Sequence, residues 1–245
     1  MKAVKHPTHD IHYMGHHKCA TNWMRRFLKH ISTSIRYNYI VTNGDNSSNE
    51  IDPRHIYTIH LNVNYDWKNE HLPNDCLGFH LLRDPRDVLI SDYFSTRNSH
   101  NPYTSQKQLE MHKYLNSHDE ESGLLYMVEN SPYYVQIEDW KLQQYQSRGL
   151  LDVKYEDLIK NPSRGYHSIL SHLNIDIQDD TLSKITEWCS FKSISGGREP
   201  GQEDKFHHFR KGISGDWKIY FNHYPKVAEY FYKEHSSILF NLEYS

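Results

Sequence analysis

Apolar and polar positions follow two rhythms along this chain. Short runs rich in β-branched and aromatic residues at 11–14, 37–41, 56–61, 77–82 and 150–155 read as buried strands. Between or after several of them the apolar spacing lengthens to that of helices. Residues 22–32 put Trp23, Met24, Phe27, Leu28 and Ile31 on one face and Arg25, Arg26 and Lys29 on the other. Residues 84–94 open with Asp84 as N-cap, Pro85 at the first helical position and Asp87 at the third, a strong start signal. Asn161-Pro162 opens a helix over 162–173, and 180–189 and 225–235 read as further helices. Strands alternating with helices predict an α/β fold, one domain over 1–245, with a central, mainly parallel sheet of about five strands flanked by helices. Three stretches read as loops: 42–50, 97–125, and 195–207 with its Ser195-Gly196-Gly197 and Pro200-Gly201. Loops of this kind are where binding specificity resides.

The bulk numbers narrow the picture. A length of 245 residues suits one such domain, and nineteen tyrosines add burial area to a modest 37% hydrophobic content. The formal net charge of −3 carries no basic excess, so no nucleic-acid partner is expected and any anion site must be local. Cys19, Cys76 and Cys189 lie far apart in no disulfide or zinc pattern, which fits a reducing compartment. No apolar run approaches a membrane span and no signal peptide precedes Gly15, so the expectation is a cytoplasmic protein without a membrane partner.

Candidate chemistry gathers after the expected strands. Gly15-His16-His17-Lys18-Cys19-Ala20-Thr21-Asn22-Trp23 leads from a strand directly into a helix. In that geometry main-chain N–H groups and the helix dipole hold an anion, Lys18 adds a charge and Thr21 a hydroxyl. It is not a Walker A loop, because Gly-Lys-Ser/Thr is missing from its end. Arg83 closes the strand 77–82 ahead of the capped helix carrying Ser91, an arrangement suited to a phosphate, though also to an arginine paired with Asp84 or Asp87. His60 ends the run 56–59, and Tyr155 ends the run from Leu150; alone, each reads as an ordinary core or surface residue. Ligands of open α/β sheets bind beyond the carboxyl ends of strands. Gly15, His60, Arg83 and Tyr155 are therefore expected to face one crevice.

Near the carboxyl end stands Phe209-Arg210-Lys211-Gly212-Ile213-Ser214-Gly215-Asp216-Trp217-Lys218, adjacent cations beside glycines. This run resembles the closing loop of the sulfotransferases that use 3′-phosphoadenosine 5′-phosphosulfate (PAPS), which reads Arg-Lys-Gly-x-x-Gly-Asp-Trp-Lys. Lys18–Trp23 is similar to that family's opening loop, Arg83 with Ser91 to its arginine–serine pair, and Tyr155–Asp157 to its Tyr-Glu-Asp. All occur in family order from residue 11 to about 221.

The resemblance implies a P-loop-like nucleotide-binding fold. It also implies sulfuryl transfer from PAPS to a hydroxyl, or an amine, of a small-molecule acceptor, leaving 3′-phosphoadenosine 5′-phosphate (PAP). Carried over by position, Lys18, Cys19, Ala20, Thr21 and Asn22 cradle the 5′-phosphosulfate, while Trp23 and Phe191 flank the adenine. Tyr155 touches the nucleotide, and Arg83, Ser91, Arg210, Lys211 and Gly212 hold the 3′-phosphate. Lys18 stabilises the leaving phosphate and His60 is the general base; no metal is implied. In this chain Thr58 stands in place of a family lysine, Cys19-Ala20 in place of Ser-Gly, and Asn22 in place of a threonine. Because alanine resists positive φ, an ordinary φ is expected at Ala20. No copy of the family's dimer motif is evident, which leaves oligomeric state open. Competing readings are a cysteine phosphatase using the Cys19–Arg25 spacing, a P-loop-type kinase, and a non-catalytic nucleotide-binding module.

Overall fold

The computed structural model of the chain describes residues 8–42, 49–50, 52–63, 76–131, 133, 137 and 149–244. Most of the loop expected at 42–50 lies outside them. Six strands form one sheet: β1 (Ile11–Gly15), β2 (Asn38–Thr42), β3 (Asn49–Glu50), β4 (Thr58–Val63), β5 (Leu77–Leu82) and β6 (Leu150–Lys154). Their order is β3-β2-β4-β1-β5-β6. Neighbours among β2, β4, β1, β5 and β6 run parallel, and the two-residue β3 pairs antiparallel with β2. This is the expected α/β fold with five parallel strands. In β1, Ile11, Tyr13 and Met14 are fully buried, and in β5 so are Phe79, His80 and Leu81. Burial of consecutive residues, rather than alternate ones, is what a parallel sheet covered on both faces requires.

In chain order the described helices are α1 (Thr21–Ile35), α2 (Pro85–Phe94), α3 (Gln106–Ser117), α4 (Glu120–Asn130), α5 (Tyr155–Lys160), α6 (Pro162–His172), α7 (Asp179–Trp188), α8 (Phe191–Ile194), α9 (Trp217–His223) and α10 (Pro225–Asn241). None among the described residues is long and apolar enough to cross a membrane.

The chain divides into two compact units, each made of two stretches: 1–82 with 140–190, and 83–139 with 191–245. The first holds the six strands with α1, α5, α6 and α7. There α1 buries the expected stripe, with Trp23, Met24, Phe27, Leu28 and Ile31 inside and Arg26 and Lys29 exposed. Burying five such large side chains, at about 1.5–3 kcal/mol each, outweighs the helix's lack of a side-chain N-cap.

In the second unit α2 starts as predicted. The Asp84 carboxylate accepts the Arg86 main-chain N–H at 2.9 Å, and Pro85 occupies the first helical position. The reading of 97–125 as a loop is corrected. That stretch contains α3 and the start of α4, opened by Ser105 accepting from Gln108 N–H (3.1 Å) and Asp119 accepting from Ser122 N–H (2.8 Å). Only Met111 and Leu115 of α3 are buried, so its apolar stripe is too thin for periodicity to reveal. Residues 195–207 form neither helix nor strand, as expected.

Candidate active site

In the first unit the chain leaves β1 at Gly15, turns through residues 16–20 and enters α1 at Thr21. Two residues of the turn are left-handed, Lys18 (φ 66°) and Ala20 (φ 55°). The expectation of an ordinary φ at Ala20 is therefore overturned. A left-handed residue carrying a Cβ costs about 1–2 kcal/mol. Left- and right-handed residues in succession, however, turn consecutive N–H groups toward one side and make an anion-binding concavity. Strain of this kind persists where a site needs it. The main chain closes the turn: Cys19 N–H donates to the His16 carbonyl (3.2 Å), and Trp23 and Met24 N–H both donate to the Ala20 carbonyl (3.0 Å each). Ala20 lends the helix no side-chain cap. The Thr21 hydroxyl donates to the His16 carbonyl (2.8 Å), bracing the turn from within. Lys18 is half-buried and Asn22 exposed. Cys19 is fully buried, so its thiol is not presented for attack and the cysteine-phosphatase reading loses its nucleophile.

Behind the turn, Trp23 meets Tyr155 edge-to-face at 6.1 Å, and Tyr155 begins α5 directly after β6. Both rings are at most 8% exposed, so this pair is part of the core that seats the turn.

His60 does not stand where the sequence placed it. It is the third residue of β4 instead of the one following a strand, and it pairs in register with His12; Val63 is the residue opposite Gly15. At about 3.3 Å per residue it lies roughly 10 Å short of the end from which the turn departs. Pairing with β2 as far as Asn62 and with β1 as far as Val63 carries β4 past the run 56–61, an extension set by distant partners. The His60 Nε2 instead lies 3.0 Å from Asp10 Oδ2, and its ring stacks on His12 at 4.8 Å. Asp10 also accepts the Thr58 N–H at 2.8 Å. Burial, then the His60 charge, against Asp10, lowers the pKa of His12 to about 4. A cavity of about 520 Å³ elsewhere in this unit is lined by Lys154, Lys160 and Arg164 but also by Asp152 and Asp157. Its mixed charge makes no anion cradle.

The second unit carries the other predicted residues. Arg83 follows β5, and Ser91 lies on α2 eight positions later, half-buried. Asp87, 2% exposed, accepts N–H bonds from Gly215 (2.7 Å) and Trp217 (3.0 Å), which ties α2 to the segment 210–217. Burial pushes the Asp87 carboxyl up, against the Arg83 charge and those two N–H groups. Arg86 grips Asp84 and lies 3.8 Å over the Trp217 ring. Arg210 pairs with Glu203 and Asp216, and the Lys211 ammonium lies 2.6 Å from Asp216. Burial alone would raise Asp216; the two cations overcome it and hold the carboxyl below its usual range. Arg198 donates to the Arg210 carbonyl (2.7 Å) and the Phe209 carbonyl (2.5 Å), clamping the same segment. Gly212 is left-handed (φ 67°) and lies against the Phe191 ring, where a Cβ would overlap it.

Thus Lys18–Asn22 gather with Trp23 and Tyr155 in one unit, and Arg83, Ser91, Phe191 and Arg210–Gly212 in the other. Sequence reasoning missed Asp10, Asp87, Arg198, Glu203 and Asp216. Asp216 carried a signal in its place inside the Gly-Asp-Trp run, and Asp87 one as the third residue of the capped helix that follows Arg83.

A mainly parallel sheet with a turn between β1 and α1 that carries left-handed Lys18 and Ala20 defines a P-loop-like α/β fold. A family model described as the sulfotransferase domain matches residues 8–236. The chain is 28% identical over 222 residues to sulfotransferase 1 family member D1 of Mus musculus, covering 83% of this chain and 70% of that protein. It is 22% identical over 236 residues to sulfotransferase 2A1 of Homo sapiens, covering 86% and 78%. In fold it is similar to mouse sulfotransferase SULT7A1 complexed with PAP, with TM-score 0.64 and 18% identity over 96% of this chain and 85% of that one. Retinol dehydratase in complex with retinol and PAP gives TM-score 0.58 and 17% identity over 96% and 82%. The chain belongs to the sulfotransferase family.

Proposed function

We propose that the chain transfers the sulfuryl group of PAPS to a hydroxyl of a small acceptor, with residues 18–22 receiving the 5′-phosphosulfate. The observation that carries this reading is the pair of left-handed residues, Lys18 and Ala20, held at a helix start without a side-chain cap. Main-chain N–H groups so turned favour charge developing on a leaving phosphate oxygen, and the Lys18 ammonium adds to them. Trp23 and Tyr155 support the turn, and the matched positions Arg83, Ser91, Arg210, Lys211 and Gly212 take the 3′-phosphate. In that role Arg210 and Lys211 exchange part of their pairing with Asp216 and Glu203 for phosphate oxygens, and Phe191 serves the adenine from beside Gly212. Each segment by itself offers cations together with left-handed backbone, which suits a phosphate group. His60, set with Asp10 and His12, is left out of the proton transfer. A small alcohol as acceptor accords with the retinol and androsterone named in complexes of a protein of similar fold.

The test is an acceptor screen with labelled PAPS, repeated on Lys18→Ala and Arg83→Ala. Lys18→Ala should cut turnover by roughly 10²-fold, the scale for losing one group that stabilises a developing anion. Arg83→Ala should chiefly weaken PAP in calorimetry. Unchanged turnover in the first variant, or unchanged PAP affinity in the second, refutes the corresponding assignment.

A further inference from the structure

Beneath the turn, three polar side chains cross the apolar sheet in a line. Asp152 of β6 stands opposite His80 of β5, and the His80 Nδ1 lies 3.2 Å from its Oδ1. The His80 Nε2 lies 2.8 Å from the Nε2 of His16, the first residue beyond β1. Both imidazoles are fully buried, while Asp152 keeps 15% of its side chain exposed. Chemistry gives the line a direction. A carboxylate only accepts, so His80 carries its proton on Nδ1 and presents a lone pair at Nε2. His16 must then carry its own proton on Nε2 and donate it. The ring thus fixed belongs to the residue on which the turn is hung, for the His16 carbonyl accepts both the Cys19 N–H (3.2 Å) and the Thr21 hydroxyl (2.8 Å). Left-handed Lys18 and Ala20 lie within four residues of it. An apolar trio would fill the same space, and buried polar chains earn their place chiefly by specifying one arrangement.

We infer that Asp152, His80 and His16 form a positioning chain for the phosphate turn. Asp152 sets the His80 tautomer, His80 holds the His16 ring, and His16 fixes the peptide from which residues 17–20 depart. This rests on the reading that the turn receives the 5′-phosphate end of the nucleotide.

Calorimetry with PAP and with adenosine 3′-phosphate, which lacks the 5′-phosphate, tests it without any acceptor. Asp152→Ala and His16→Leu should weaken PAP by roughly tenfold or more, the scale of effect expected when a supporting group shifts a binding loop. Adenosine 3′-phosphate should change less than about twofold, and His16→Gln, which keeps a donor near the Nε2 position, should bind PAP within about threefold of wild type. A merely structural defect would weaken both nucleotides together and would not be rescued by glutamine. Where His16→Leu does not fold, Asp152→Ala decides, since its site is the partly exposed end of the line. PAP affinity within twofold of wild type in Asp152→Ala, or equal weakening of both nucleotides, overturns the inference. Lys18→Ala separates the two levels. If it weakens PAP selectively while Asp152→Ala does not, the positioning role alone fails; if it spares PAP, the turn is not the phosphate site.

Discussion

Substituting Gly212 by alanine isolates the contribution of one ring contact to the segment 209–217. Two costs arise from the structure. The left-handed backbone at φ 67° penalises any L side chain by about 1–2 kcal/mol. The new Cβ would also stand 2.5 Å from Phe191 Cγ, an overlap whose relief costs about 1–3 kcal/mol. Gly196 is the internal control: its φ is 79°, but nothing lies within 4 Å of a Cβ there. Stiffening of the unfolded chain returns about 0.4–1 kcal/mol at both sites and cancels in the comparison. Since about 1 kcal/mol moves Tm by roughly 2–4 °C in a chain of this size, Gly212→Ala should melt at least about 2 °C below Gly196→Ala. Thermal melts of both variants and of Phe191→Ala, alone and combined with Gly212→Ala, complete a double-mutant cycle. The cycle should return about 1–3 kcal/mol of coupling between positions 191 and 212. Equal melting of the two glycine variants, or no coupling in the cycle, would refute the contact argument.

The remaining predictions concern charge and protonation. His60→Ala should keep kcat within about threefold of wild type, whereas loss of a general base costs roughly 10²–10⁴-fold; a fall of that size would return His60 to the reaction. Glu203→Gln removes a carboxylate paired with Arg210 and should tighten PAP about two- to fivefold in calorimetry, the worth of a partly exposed pair; weaker binding would contradict a phosphate role for Arg210. The pKa of His12 is about 4 in the folded protein against 6.5 as its ordinary value, so between those pH values the unfolded chain binds the proton more readily. Stability should therefore fall as pH drops from 6.5 toward 4, and the slope of Tm against pH should flatten in His12→Gln; an unchanged slope would show that His12 does not carry it.

The fold was legible because its determinants are local. The apolar runs of β1 and β5, the stripe of α1 and the Asp84-Pro85 cap each lie within about a dozen residues. What depends on register or on distant partners was not legible. Nothing near His60 says that β4 continues to Val63, since that is set by pairing with β1 and β2. Asp87 reads as the third residue of a helix, and its bonds to Gly215 and Trp217 bridge 128 and 130 positions. The α3 helix hides because it buries little. At Ala20 sequence logic pointed the wrong way: propensity favours ordinary φ, and the geometry of the turn overrides it.

A crystal structure with PAP bound tests the central claim most directly, read at the turn between β1 and α1. The account predicts the 5′-phosphate oxygens at about 3 Å from main-chain N–H groups of residues 18–22 and from Lys18 Nζ, with Lys18 and Ala20 still left-handed. A 5′-phosphate bound away from that turn, or a turn that reverts to ordinary φ around it, would contradict the account.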